Sequence, residues 1–313
     1  MQPSRRRVLV DTDPSMLTWG FEVDDDLALL FLLGSPEVEI SAITTTYGNS
    51  LGALTHRDAT RLLESCGRTE IPLARGAGFF SRDSRPTPAS RLIVETVRRY
   101  PGEVTLLTLG PLTNLAAALA AWPALEDQAA GLVIMGGRSR EGLSDFNVRA
   151  DPASARRVLA SRIPKVAITI DLCLTVCVTA RWIDGLSSHP SSHPDSVVFP
   201  FAPTLRRFAH WQDRFRAMQG RVPEQATGGF HPWDAIAAAW LVDPTLFGDL
   251  RDVTLSIDAK GRSSLSERTE RTERADVGLV ERTRMPFTVD SGRFLALFAE
   301  RLVRARLPPS TLV

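Results

Sequence analysis

Short runs of β-branched and aliphatic residues alternate along this chain with longer stretches whose apolar positions recur at helical spacing. Residues 8–10 are apolar and end in Asp11-Thr12-Asp13, and residues 24–33 read as a helix that opens on acidic residues. A β-branched strand over 40–46 runs into Tyr47-Gly48-Asn49, and 57–66 is helical. The pattern repeats: a strand over 104–109 ending at Gly110-Pro111, an Ala/Leu helix over 112–122, a strand over 132–135 ending at Gly136-Gly137, a helix over 152–160, and a strand over 166–170 ending at Asp171. Such alternation predicts an α/β fold, a mainly parallel open sheet with helices on both faces. Beyond about residue 179 the pattern is mainly helical, with 201–218 an aromatic, Arg-rich candidate flap and 285–302 a closing strand and helix. No break in composition divides the chain, so residues 1–313 are expected to form one domain with extra helices in its C-terminal half.

Composition narrows the function. The chain has 313 residues, 43% hydrophobic and 23% charged, enough to bury a core without disulfides. Lys+Arg number 37 against 36 Asp+Glu, a net charge of +1, so no basic field gathers nucleic acid or anionic lipid. The expected partner is a small molecule. Three cysteines, Cys66, Cys173 and Cys177, are an odd set expected to stay as thiols in a reducing, cytoplasmic setting. Residues 1–7 lead straight into a strand and are not read as a secretory signal. The longest apolar runs, 115–122 and 235–242, are too short to span a bilayer.

In parallel α/β sheets ligands bind beyond the carboxyl ends of the strands, where the polar residues of this chain gather. Asp11, Asp13, Asp24, Asp25 and Asp26 fall at one predicted strand-to-helix junction. Carboxylates so placed repel one another unless protons or a cation neutralise them. With no cysteine or paired histidine nearby, oxygen donors of this kind select a hard cation, Ca²⁺ or Mg²⁺. Helix capping and a solvated acidic face is the other reading. It accounts for Asp24 at a helix start better than for Asp13, in a turn directly after a buried strand.

The motifs of this junction, Val10-Asp11-Thr12-Asp13-Pro14 followed by Asp24-Asp25-Asp26-Leu27-Ala28-Leu29-Leu30, resemble the N-terminal signature of the inosine–uridine-preferring nucleoside hydrolases. Further matches follow in the same order: 42–49 (AITTTYGN), 109–117 (LGPLTNLAA), 133–137 (VIMGG), 145–147 (DFN) with Asp151-Pro152, and 233–235 (WDA). The resemblance covers nearly the whole chain. It implies a Ca²⁺ enzyme, commonly a homodimer or homotetramer, that cleaves the N-glycosidic bond of nucleosides. It implies Ca²⁺ held by the carboxylates of Asp13, Asp25 and Asp234 and the backbone carbonyl of Ile134. Asp24, Asn49, Asn147 and Asp145 would contact the ribose, with Asp145 at a position where the family usually carries Glu. Asp13, beside a cation-bound water, would accept its proton.

The chain departs from that pattern in five further places. Residues 15–23 (SMLTWGFEV) lengthen a turn that is tight in the family, adding Trp19 and Phe21 and leaving open whether the loop bulges outward or lines the pocket. Asp26 replaces a small apolar residue and is expected to face solvent or support Asp25. The family's 5′-hydroxyl ligand has no counterpart; Arg138 and Arg140 stand there instead, as solvated loop residues or as contacts to a 5′-phosphate. Phe79 and Phe80 occupy the region of a missing His-Gly segment, and Trp233 stands where many members carry a histidine acid. A purine preference is expected from stacking on Trp233, with His231 the one histidine placed to donate a proton. Three other readings compete: a hydrolase of 5′-phosphorylated or modified nucleosides, a Mg²⁺-dependent phosphatase of the haloacid dehalogenase type with Asp11-Thr12-Asp13 at its entry and Lys165 as its lysine, and a non-catalytic nucleoside- or metal-binding protein.

Overall fold

The computed structural model describes residues 5–18, 22–78, 86–138, 145–192, 196–218, 229–267 and 282–305. The strands in chain order are β1 (Arg6–Thr12), β2 (Val38–Thr45), β3 (Leu73–Arg75), β4 (Val104–Thr108), β5 (Gly131–Met135), β6 (Lys165–Ile168), β7 (Val178–Thr179), β8 (Gly229–Phe230), β9 (Phe247–Ile257), β10 (Ser263–Glu267) and β11 (Thr283–Val289). Nine of them form one sheet in the order β10-β9-β11-β6-β5-β4-β1-β2-β3. Every pairing from β3 across to β11 is parallel; only β9 runs antiparallel, to β10 and β11. The predicted α/β sheet is therefore the observed one.

Side chains alternate across the strands, as the two-residue period of a strand requires. Val8 and Val10 of β1, Leu107 of β4, Val133 and Met135 of β5 and Ile168 of β6 enter the core on one face. Leu9, Leu106, Leu132, Ile134 and Ala167 enter the core on the other. Two helices on the first face, Asp24–Leu33 and Trp233–Val242, are buried almost all round and pack against each other. That is why neither shows an amphipathic stripe in sequence. The run Ala235–Ala239, fully buried with only Ile236 large, lets the pair approach closely.

After β1 the chain builds outward through β2 and β3, then returns past β1 to add β4, β5 and β6 on its other side. The order thus reverses between β1 and β4, and a crevice opens beyond the carboxyl ends of strands at such a switch point. Asp13 follows β1 and Leu109 follows β4 at this place.

The expectation of a mainly helical C-terminal half needs correction. It holds the helices Ala180–Gly185, Ala202–Met218, Trp233–Val242 and Ser291–Arg304, but also β9, β10 and β11, which extend the sheet. β9 escapes sequence reading because Gly248–Asp252 is largely exposed and lacks apolar alternation, which begins only at Val253, Leu255 and Ile257. The three cysteines are free thiols, as expected.

Candidate active site

The acidic junction folds inward. Asp11, Asp13, Asp24, Asp25, Asp26 and Asp234 are all 4% exposed or less. The order β1–loop–helix brings the first five together, and packing of the Trp233–Val242 helix on the Asp24–Leu33 helix delivers Asp234 from its own first turn. Asp25 ties the group. Its Oδ1 accepts the Thr12 hydroxyl and the Asp13 N–H (2.9 Å), and its Oδ2 accepts the Asn49 side-chain amide at 2.8 Å. Asp13 Oδ2 accepts the Asn49 N–H at 2.7 Å. A Cβ on either Gly48 or Gly110 would collide with the Asp13 carboxylate, so both positions need glycine for that carboxylate to sit here. Asp11 lies beneath, accepting Thr44 Oγ1 at 2.6 Å and Asn114 Nδ2 at 2.8 Å.

Carboxylates of Asp24, Asp25 and Asp234 each offer an oxygen within 4.8 Å of the other two. The expected set of Asp13, Asp25 and Asp234 differs from this group by one residue, and Asp13 borders the same cavity. Burial, then the charge of Asp25, pushes Asp24 up to about 7. Burial, then the charges of Asp25 and Asp24 respectively, holds Asp13 and Asp234 well above the usual carboxylate range. Asp24 Oδ1 is buried with no hydrogen-bond partner among the described residues. Crowded hard oxygen donors, mutual repulsion and an orphaned buried carboxylate oxygen are the features that a divalent cation satisfies. The residues fit the expected cation.

These carboxylates line one side of a cavity of about 250 Å³ at the switch point. Asp145, Phe146, Asn147 and Trp233 line the same cavity. Asp145 caps the Phe146–Ala150 helix: one carboxylate oxygen accepts the Gly137 N–H, the other the Asn147 N–H at 2.9 Å. Burial raises it to about 6. Asn147 Nδ2 donates to the carbonyls of Leu109 and Met135, which pins its side chain between the ends of β4 and β5. Asp13, Asp24, Asp25, Asn49, Asp145, Asn147, Trp233 and Asp234, dispersed along the sequence, thus border one pocket.

Other expectations fall elsewhere. Ile134 lies inside the ladder between Thr108 and Ala167; Met135, one residue on, is the β5 residue that borders the pocket. His231 stands one layer back. Its Nδ1–H donates to the Val176 carbonyl, its ring lies 5.2 Å from that of Trp233, and Trp233 rather than His231 is among the residues bordering the cavity. Arg138 is half-buried after Gly137 and is not among the residues bordering the pocket. Arg140, Trp19, Phe21, Phe79 and Phe80 lie outside the described residues. Lys165 begins β6, at the far end of the sheet from the carboxylates, with Nζ donating to the Ser161 carbonyl at 2.6 Å; that placement removes it from the phosphatase role.

Asp26 is the clearest departure. It is fully buried and faces neither solvent nor Asp25; its Oδ2 accepts the N–H groups of Ser15 (3.2 Å) and Met16 (3.1 Å). The lengthened turn is therefore anchored. Thr18 donates its N–H to Asp58 Oδ2 at 2.8 Å and its hydroxyl to the other oxygen, while Ser15 Oγ bridges to the Glu22 backbone at 3.2 Å. Glu22, which the motif reading passed over, borders the pocket; the available signal was an acidic residue two places before Asp24 in a segment foreign to the pattern. Phe146, 41% exposed on the pocket wall between two matched motif residues, was also passed over.

A family model described as inosine-uridine preferring nucleoside hydrolase matches residues 8–296. The pyrimidine-specific ribonucleoside hydrolase RihA of Photobacterium profundum is 28% identical, with 95% of this chain and 98% of the relative aligned. Among solved structures, a plant nucleoside hydrolase, PpNRh1, superposes with a TM-score of 0.78 at 24% identity, covering 96% of this chain and 99% of its own. A purine-preferring ribonucleoside hydrolase from Gardnerella vaginalis gives 0.76 at 22% identity, over 96% and 98%.

Proposed function

This chain belongs to the inosine-uridine preferring nucleoside hydrolase family and hydrolyses the N-glycosidic bond of ribonucleosides, and from that premise we propose a calcium-dependent mechanism with a preference for purines. The observation that carries it is the convergence of the buried carboxylates of Asp13, Asp24, Asp25 and Asp234 with Asn49 and Asn147 on one cavity. Asp13, Asp25 and Asp234 would hold the cation, with Asp24 against them. A bound Ca²⁺ lowers the pKa of a water and orients the sugar diol.

The remaining chemistry belongs to the side chains. Asp24 accepts from a ribose hydroxyl, Asn49 offers both donor and acceptor, Asn147, whose amide hydrogens go to the Leu109 and Met135 carbonyls, offers its side-chain oxygen, and Asp145 adds a further acceptor. Glycosidic cleavage develops positive charge on the sugar, which these surrounding carboxylates favour. Asp13 accepts the proton of the attacking water as the C1′–N bond breaks and the base leaves with the bonding pair. Base release from a panel of nucleosides, in calcium and in chelator, tests this reading. Turnover undiminished in exhaustive chelator ends the metal mechanism, and phosphate release from nucleotides without base release ends the glycosidase reading.

The purine preference rests on Trp233, whose ring borders the cavity directly before Asp234. An indole N–H is no acid near neutral pH, so the ring contributes a π face instead. Stacking of a base on such a face is worth roughly 1–3 kcal/mol, and a two-ring base overlaps it more than a one-ring base does. Trp233→Ala is expected to lower kcat/KM for inosine and guanosine by about tenfold or more. The expected loss for uridine is smaller, with calcium affinity unchanged. A wild type that prefers uridine, or an equal loss on both classes, defeats the assignment and turns attention to Phe146.

A further inference from the structure

Glu22 borders the pocket from the lengthened turn, which the family pattern lacks, and that turn is held by several independent contacts. Asp26 takes the first two N–H groups of the loop, Asp58 takes both polar groups of Thr18, and Arg57 Nη2 adds a bond to Thr18 Oγ1 at 3.1 Å. Ser15 Oγ then closes the loop onto the N–H and carbonyl of Glu22. Ser15 and Met16 are themselves buried, so the two buried carboxylates fix the path of the turn on which they act. At its end, Glu22 Oε1 accepts the Val23 N–H at 3.3 Å, and Oε2 has no protein partner among the described residues while the side chain borders the cavity. The chain then enters the Asp24–Leu33 helix, so Glu22 borders the pocket two residues before Asp24, whose charge is the strongest one acting on it.

We propose that Glu22 is a substrate-contacting specificity residue: its carboxyl, held by the Ser15–Glu22 closure, accepts a hydrogen bond from one hydroxyl of the ribose 2′,3′-diol beside Asp24. The proposal rests on the nucleoside reading given above. A carboxyl that borders the cavity with one oxygen on the Val23 N–H and the other without a hydrogen bond among the described residues is an acceptor for hydroxyl donors. It adds a second acceptor beside Asp24 that a short turn would not supply. Asp26, Asp58 and Thr18 act as positioning residues, since they touch the loop and not the cavity.

The test compares wild type, Glu22→Ala and Glu22→Gln on adenosine, inosine and the 2′-, 3′- and 5′-deoxy analogues of each. Inhibition constants replace kcat/KM where turnover is too slow to read. Loss of this acceptor, which leaves a buried hydroxyl unpaired, predicts a fall of about fivefold to a hundredfold on the ribonucleosides for Glu22→Ala. That penalty should vanish on the 2′- or the 3′-deoxy analogue and persist on the 5′-deoxy one, and calcium affinity by titration calorimetry should match wild type. Thr18→Val should raise KM in the same deoxy-dependent pattern by a smaller factor, with kcat held. A penalty that follows the base, that is unchanged on both the 2′- and 3′-deoxy analogues, or that tracks weakened calcium binding overturns the proposal, as does wild-type behaviour of Glu22→Ala. A wild type that releases no base from any nucleoside overturns the nucleoside reading and this contact with it.

Discussion

Asp25→Ala should reduce nucleoside turnover by at least a hundredfold while leaving a folded protein. Asp25 is the organising carboxylate of the site: it accepts the Thr12 hydroxyl, the Asp13 N–H and the Asn49 amide, and it shares the Asp24–Asp234 cluster. Changes to groups that merely orient a metal site cost about 10- to 100-fold. Asp25 orients Asn49 and is itself a proposed cation donor, so the loss should exceed that range. The fold should survive, because removing this charge also relieves a repulsion that acts on Asp11, Asp13, Asp24, Asp26 and Asp234 alike. Steady-state kinetics, calcium titration and circular dichroism of the same preparation decide the matter. Turnover within a few-fold of wild type, with the fold intact, contradicts the assignment of Asp25. Loss of the circular dichroism spectrum instead makes Asp25 a structural residue.

What was legible in the sequence follows from how local each signal is. The parallel strands announce themselves through short aliphatic runs that end in polar turns, and Asp13, Asn49 and Asn147 sit in or just after such turns, so strand ends and pocket coincide. Glu22 and Asp26 were not legible. Their roles depend on the path of the loop over residues 15–23, which is set partly by Asp58, from a helix far along the chain. A buried acidic residue that binds loop N–H groups looks, in sequence, like one more solvated carboxylate. His231 is two residues from Trp233 in sequence, but its Nδ1–H is committed to the Val176 carbonyl and only Trp233 of the two is among the residues bordering the cavity. Spacing alone reports proximity; it does not report which of two adjacent rings borders a pocket.

Metal-free protein should be most stable in mild acid and lose stability as the pH rises toward neutrality. Burial raises the pKa of Asp11 and Asp24 from 3.8 to about 7, and it holds Asp13, Asp26 and Asp234 well above the usual range. In the unfolded chain these groups ionise near the ordinary aspartate value, about 4. Between about 4 and 7 the folded state therefore binds more protons than the unfolded state, and stability falls as pH increases across that window. This is opposite to the usual behaviour of an aspartate stabilised as an ion. A divalent cation substitutes for the protons: it binds the ionised cluster, competes with protonation at low pH and binds tightly only when the carboxylates are charged. Calcium should thus raise the melting temperature little at pH 4.5 and by several degrees at pH 7.5 when present at about a hundred times its dissociation constant. Asp25→Ala should flatten both the pH dependence in chelator and the calcium response, because it removes one of the repelling charges and one of the donors together. Thermal melts from pH 4.5 to 8, in chelator and in excess calcium, measure all of this. A chelated protein whose melting temperature rises through that range, or a calcium effect equal at both ends of it, means that the carboxylates are ionised without a cation and that the cluster is not the metal site.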